Sequence, residues 1–124
     1  MGAELRVYGL KETVRKLQKL GADGQDLKAA MHRIGLKAVD RARTYVPIGS
    51  TGNLSASLRA GAAKTTVVIR SGGAKVKYAP FVEFGTAKMA ARPFMRLAAA
   101  EIAPEAKAEL DKELRTILSK IGLK

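Results

Sequence analysis

Residues 78–94 read YAPFVEFGTAKMAARPF, and the reading of this stretch decides how the rest of the chain is arranged. It carries two of the four prolines, Pro80 and Pro93, and the one acid between residues 47 and 96, Glu83. Phe81, Val82 and Phe84 crowd that acid, and Gly85-Thr86 follows it. A lone carboxylate among apolar side chains is costly to bury, so it must find a cation or backbone donors. Arg92 and Arg96 stand nearest in sequence. Two arrangements satisfy it: an ion pair fixing the loop against the next helix, or a reach into a neighbouring subunit. Proline is well tolerated in a helix's first turn, so Pro93 opens a long helix. The stretch therefore reads as a sharp turn, a held carboxylate and a helix launched in a set direction. Such geometry suits an assembly part better than an enzyme.

Working outward, Phe94, Leu97, Ala98 and Ile102 share a helical face, and beyond Pro104 so do Leu110, Leu114, Ile117 and Ile121. Pro104 bends this helix or starts a second one, and Gly122 closes it. Upstream, Leu58–Ala63, Thr65–Arg70 and Ala74–Tyr78 read as three strands, with Ser71-Gly72-Gly73 a hairpin turn between the last two. Asn53 caps a short helical turn over Leu54–Leu58. Nearer the N-terminus, Leu5–Tyr8 reads as a strand and Lys11–Leu20 as a helix stopped by Gly21. The clearest helix follows. Asp23 or Asp26 caps it, and Leu27, Met31, Ile34, Ala38, Ala42 and Tyr45 recur on one stripe until Pro47 ends it. The expectation is one α+β domain over residues 1–124. It has a small, mostly antiparallel sheet of three or four strands, two N-terminal helices and a long C-terminal helix, all packed on one face. Open sheet edges invite pairing with a neighbouring copy.

At 124 residues, 47% of them hydrophobic, the chain can bury roughly two thirds of its unfolded surface. The core must be aliphatic, since aromatics are 5% and Trp is absent. Absence of cysteine excludes disulfides, thiolate metal sites and cysteine nucleophiles. No run approaches the roughly 18 apolar residues of a membrane span. With no signal-peptide pattern at the N-terminus, synthesis in the cytoplasm is expected. The net charge of +12 is uneven: residues 47–96 hold eight Lys or Arg against Glu83, whereas 97–124 are neutral. A field of that kind attracts nucleic acid, acidic protein or anionic membranes without choosing among them. Arg70, Lys75 and Lys77 flank the expected hairpin and would form a basic finger for docking or DNA contact.

Catalytic chemistry finds little footing. His32 stands beside the apolar stripe with no partners at ligand spacing, and reads as a boundary histidine. Glu101, Glu105, Glu109 and Glu113 recur every fourth residue. That spacing lines one helix face, solvated or in contact, and does not build an acid–base pair. Residues 50–55, STGNLS, lack the glycine and lysine spacing of a phosphate loop. No metal or cofactor is expected.

At these residues the chain resembles the head–tail joining proteins of long-tailed bacteriophages, also called neck or tail-completion proteins. The resemblance rests on Val46-Pro47, Thr51-Gly52-Asn53-Leu54, Tyr78-Ala79 with Val82-Glu83 and Gly85-Thr86, and Arg92-Pro93-Phe94. Order and spacing agree over nearly the whole chain. Two departures are the longer Ile48-Gly49-Ser50 link and Leu97, where the family often has proline. The resemblance implies a non-enzymatic virion protein forming a ring, commonly of six copies, between the portal complex and the tail tube. Its expected partners are copies of itself, connector or head-closure proteins and tail-tube proteins, with genomic DNA passing through the channel. The rival reading is a non-specific DNA-binding protein using Arg70, Lys75 and Lys77.

Overall fold

A computed structural model describes residues 2–7, 10–46, 52–61, 63, 66–73, 76–88 and 90–120. The protein is α+β. Elements follow in the order β1 (Gly2–Val7), α1 (Lys11–Lys19), α2 (Gly24–Arg43), α3 (Asn53–Ala56), β2 (Arg59–Ala60), β3 (Val67–Gly72), α4 (Ala79–Phe84) and α5 (Phe94–Lys120). The three strands form an antiparallel sheet in the order β1-β3-β2. Period-2 alternation turns Ala3, Leu5 and Val7, opposite Ser71, Ile69 and Val67, toward the helices. Glu4, Arg59 and Arg70 share the other face, where Arg70 meets Glu4 at 2.8 Å.

The helix ends follow local chemistry. Asp23 caps α2 by accepting the Gln25 amide at 2.7 Å. Past α1, the Gly21 and Ala22 amides return to the carbonyls of Gln18 and Leu17, with Gly21 at a φ of 83°. That pair of bonds is a Schellman stop. Helix α2 buries Leu27, Ala30, Met31, Ile34, Gly35, Ala38, Val39 and Ala42. Gly35 lets it lie close on β2, because a Cβ there would stand 2.9 Å from that of Ala60. Helix α5 buries Phe94, Met95, Ala98, Ala99, Ile102, Ala106 and Leu110, and the core is one continuous cluster.

Several expectations are corrected. Of the expected strand Ala74–Tyr78, the described residues Val76–Tyr78 form none: Lys77 and Tyr78 lie in a turn that leads into α4, and Ala74 and Lys75 fall outside the described residues. The reason is topological. Both edges of β3 are already occupied, by β1 and β2. Nor is Ser71-Gly72-Gly73 a hairpin turn. Ser71 and Gly72 end β3, and Gly73 and Val76 then exchange two backbone hydrogen bonds. Strand β2 has only two residues, while β3 runs two residues past Arg70. Asn53 begins α3 and Gly52, at a φ of 67°, is its N-cap. Helix α2 stops at Arg43, so Tyr45 lies beyond it and outside the stripe. Helix α5 begins at Phe94, with Leu97 exposed, and passes through Pro104 unbroken. Pro104 and Ala100, whose carbonyl loses its helical partner, both sit on the exposed side.

The acids of α5 are a contact face. They form a ladder with the cations of α2: Arg33 to Glu113 at 3.0 Å, Lys37 to Glu109 at 2.5 Å, Arg41 to Glu101 at 3.0 Å and to Glu105 at 3.3 Å. Tyr45 adds a hydroxyl bond to Glu101. The partners step down one helix as they climb the other, which pins two antiparallel helices in register. The Arg41 guanidinium is raised above its usual range, first by its hydrogen bonds to Glu101 and Glu105. Glu109 is held below the usual carboxylate range, chiefly by its hydrogen bond from Lys37.

A depressed carboxyl stabilises the fold above its unfolded value, about 4.3 for Glu, and that contribution is lost as pH falls through the lower folded value. Lys37→Gln should therefore flatten the acid limb of a urea-denaturation stability profile measured against pH. At neutral pH it should cost less than about 1 kcal/mol, the scale of an exposed pair, and less still at high salt.

Candidate functional site

Helix α4 is amphipathic in reverse. Pro80 stands in its first turn and Gly85, at a φ of 78° and a ψ of 176°, ends it, with the Gly85 amide bonded to the Phe81 carbonyl at 2.8 Å. Ala79 and Glu83, four residues apart, are fully buried. Tyr78, Phe81 and Phe84 are 44%, 54% and 54% exposed. The acid points in and the rings point out, the opposite of what solvation alone selects.

Glu83 can be buried because it completes the N-terminus of α5. Pro93 precedes that helix and has no side-chain acceptor, so the first-turn amides need partners from elsewhere. Each has one. The Phe94 amide bonds the Arg92 carbonyl at 2.8 Å, and that of Leu97 bonds the Pro93 carbonyl at 3.0 Å. The Met95 amide donates to Glu83 Oε1 at 2.8 Å and the Arg96 amide to Oε2 at 3.3 Å. These are the second and third helical residues, the two that an ordinary cap side chain would serve. A distant glutamate thus acts as the cap, and the positive end of the helix dipole favours its charge.

Arg96 encloses the carboxylate. Its Nε lies 3.2 Å from Glu83 Oε2, its Nη2 donates to the Glu83 carbonyl at 3.1 Å, and its guanidinium stands 5.7 Å from the centre of the Phe84 ring. Of the two arginines named from sequence, Arg96 is the ion partner. Arg92 contributes its backbone, whose amide meets the Val82 carbonyl at 2.7 Å, and its side chain is exposed. The Glu83 carboxylate is fully buried and bonded within the chain.

The other half of the sequence pattern converges nearby. Leu54 is buried in the core, and α3 carries the chain to Ser57 and Arg59. The Ser57 hydroxyl accepts the Gly72 amide at 2.9 Å, and Arg59 donates to the Gly72 carbonyl at 2.9 Å. Gly72, at a φ of 81°, then touches α4: a Cβ there would stand 2.6 Å from that of Ala79 and 2.7 Å from the Val76 carbonyl. So the turn after α3 and the first turn of α4, far apart in sequence, meet across Gly72. Ser57 and Arg59 escaped the sequence reading because a serine and an arginine in a turn carry no distinguishing pattern.

The remaining candidates separate. Thr86 accepts the Lys88 amide at 3.2 Å in the exposed loop, and Val82 is half-buried beside the core. Arg70 is tied to Glu4 across the sheet and Lys77 is exposed before α4, so the described residues form no basic finger. Pro47, Thr51 and Lys75 lie outside the described residues. Among the described residues, no three of His, Cys, Asp and Glu gather as metal ligands, and no helix is long and apolar enough to cross a membrane.

Glu83→Ala should cost about 2–3 kcal/mol, the scale of removing a buried charged acceptor from two donors. Native-state hydrogen exchange should show the Met95 and Arg96 amides losing protection first. Glu83→Gln, which keeps one acceptor oxygen, should cost less. Gly72→Ala should cost at least about 2 kcal/mol in urea denaturation, from a left-handed φ combined with overpacking.

Compared with protein-family models, with curated proteins and with solved structures, the chain has no match.

Proposed function

We propose that this chain is a structural virion protein of a tailed bacteriophage, which assembles as a ring at the head–tail interface. The ring joins the portal and connector complex to the tail tube, and six copies is the number that the resemblance suggests. One observation carries the reading: two motif residues, Glu83 bonded to the start of α5 and Ala79 packed on Gly72, hold α4 so that its rings face outward. Aromatic side chains standing that far out of a small domain mark a contact surface. Glu83, Arg96, Gly72, Ser57 and Arg59 hold the helix that carries them, which is work for an assembly part and not for a reaction. An exposed strand such as β1, and unlike surfaces on opposite sides of a subunit, suit a head-to-tail interface that closes into a ring.

The test is the mass of the purified protein by light scattering at moderate salt, alone and mixed with tail-tube or portal-complex components. Growth to a closed ring, alone or on the template, is the expected result. A monomer that ignores those partners and retains duplex DNA overturns it in favour of non-specific DNA binding, which would weaken steeply with salt.

A further inference from the structure

We infer that the surface displayed by α4 takes an acidic partner protein that inserts apolar side chains between its rings, and not another copy of this chain's basic middle. The inference rests on the joining role and names the chemistry of the partner. Tyr78, Phe81 and Phe84 recur at steps of three, which places them on one stripe of α4. The first turn of α5 adds Leu97, 45% exposed. Around these residues the chain supplies Lys77, Lys88, Arg92 and Arg96, all exposed. Between residues 77 and 97 the only acid is Glu83, and it is buried and already bonded. The described residues from 77 to 97 therefore present apolar and cationic side chains and no exposed carboxylate.

Of the ten acids other than Glu83, seven are engaged within the chain, and the remaining three, Glu12, Asp26 and Asp111, form no ion pair with Lys77, Lys88 or Arg92. Glu101, Glu105, Glu109 and Glu113 are engaged by α2, Glu4 by Arg70, Asp40 by Arg43, and Asp23 by its own helix. Among the described residues, no acid pairs with Lys77, Lys88 or Arg92. A partner that matched the rings without bringing carboxylates would leave those cations facing apolar surface, which is costly. A single stripe of rings on a helix meets the grooves between apolar side chains of a protein, which favours protein over nucleic acid.

A yeast-displayed library of short random peptides tests this directly. It is sorted on the wild-type protein and counter-sorted on the Phe81→Ser/Phe84→Ser variant, whose altered residues are exposed and whose fold is checked by circular dichroism. The surviving peptides should be net acidic and carry aromatic or aliphatic residues. Their affinity should fall by roughly tenfold or more in Lys77→Glu/Arg92→Glu. Survivors that are neutral or basic, a pool emptied by the counter-sort, or affinities indifferent to the charge reversal overturn the inference. So does a short duplex DNA or a phosphatidylserine vesicle whose binding is lost in the Phe81→Ser/Phe84→Ser variant while acidic peptides are ignored. Light scattering reads ring formation separately: a ring without acidic-peptide binding sinks only the partner chemistry, and peptide binding without a ring sinks only the joining role.

Discussion

The structure depends on one carboxylate placed at the start of one helix. Helix α5 is 27 residues long and opens at a proline that cannot cap it. Its first-turn amides would be unsatisfied beside a buried Phe94 and Met95. Glu83 resolves this from twelve residues away. The solution works in both directions: the helix end makes burial of the acid tolerable, and the acid fixes where the helix begins. Because Glu83 belongs to α4, the same bonds decide how α4 lies, and so which side chains it turns outward. A hydrophobic face usually sets a helix's orientation. Here a polar bond does, which frees the aromatic residues from core duty.

Charge is arranged on the same economy. The chain is strongly basic, yet eight of its eleven acids have an internal partner. Four acids of α5 serve α2, one serves β3, and one serves the end of α5. The individual exposed pairs contribute little to stability. Their combined effect is on position, because a ladder with a fixed register keeps two long helices from sliding. It also leaves the surplus of cations where no acid is built to meet them, around α4 and the loop that follows.

Much of this was legible in the chain. The α+β class, two N-terminal helices and the long last helix follow from periodicity and punctuation, although the stripe that predicts the second runs on through Tyr45 and the helix stops at Arg43. Glu83 stood out because an acid among Phe81, Val82 and Phe84 demands a partner. What escaped were features that depend on which positions are already taken. Ala74–Tyr78 has strand-like residues, but β3 has no free edge to receive them. Phe81 and Phe84 were legible only as neighbours of Glu83, and the burial of Ala79 and Glu83 on the opposite side of a six-residue helix is what turns them outward. Glu101–Glu113 gave a face, solvated or in contact, but not its partners, since pairing with Arg33, Lys37 and Arg41 is a tertiary fact invisible to spacing along one helix.

The clamp has a mechanical consequence. Helix α5 extends about 40 Å at the usual rise per residue, and α4 is fastened to its tip by hydrogen bonds to the helix backbone itself. A load applied to the rings of α4 therefore enters α5 along its axis and not through soft side-chain packing. The ladder to α2 then shares that load in shear among separate ion pairs. Such a subunit behaves as a strut with a hard coupling at one end, stiff lengthwise.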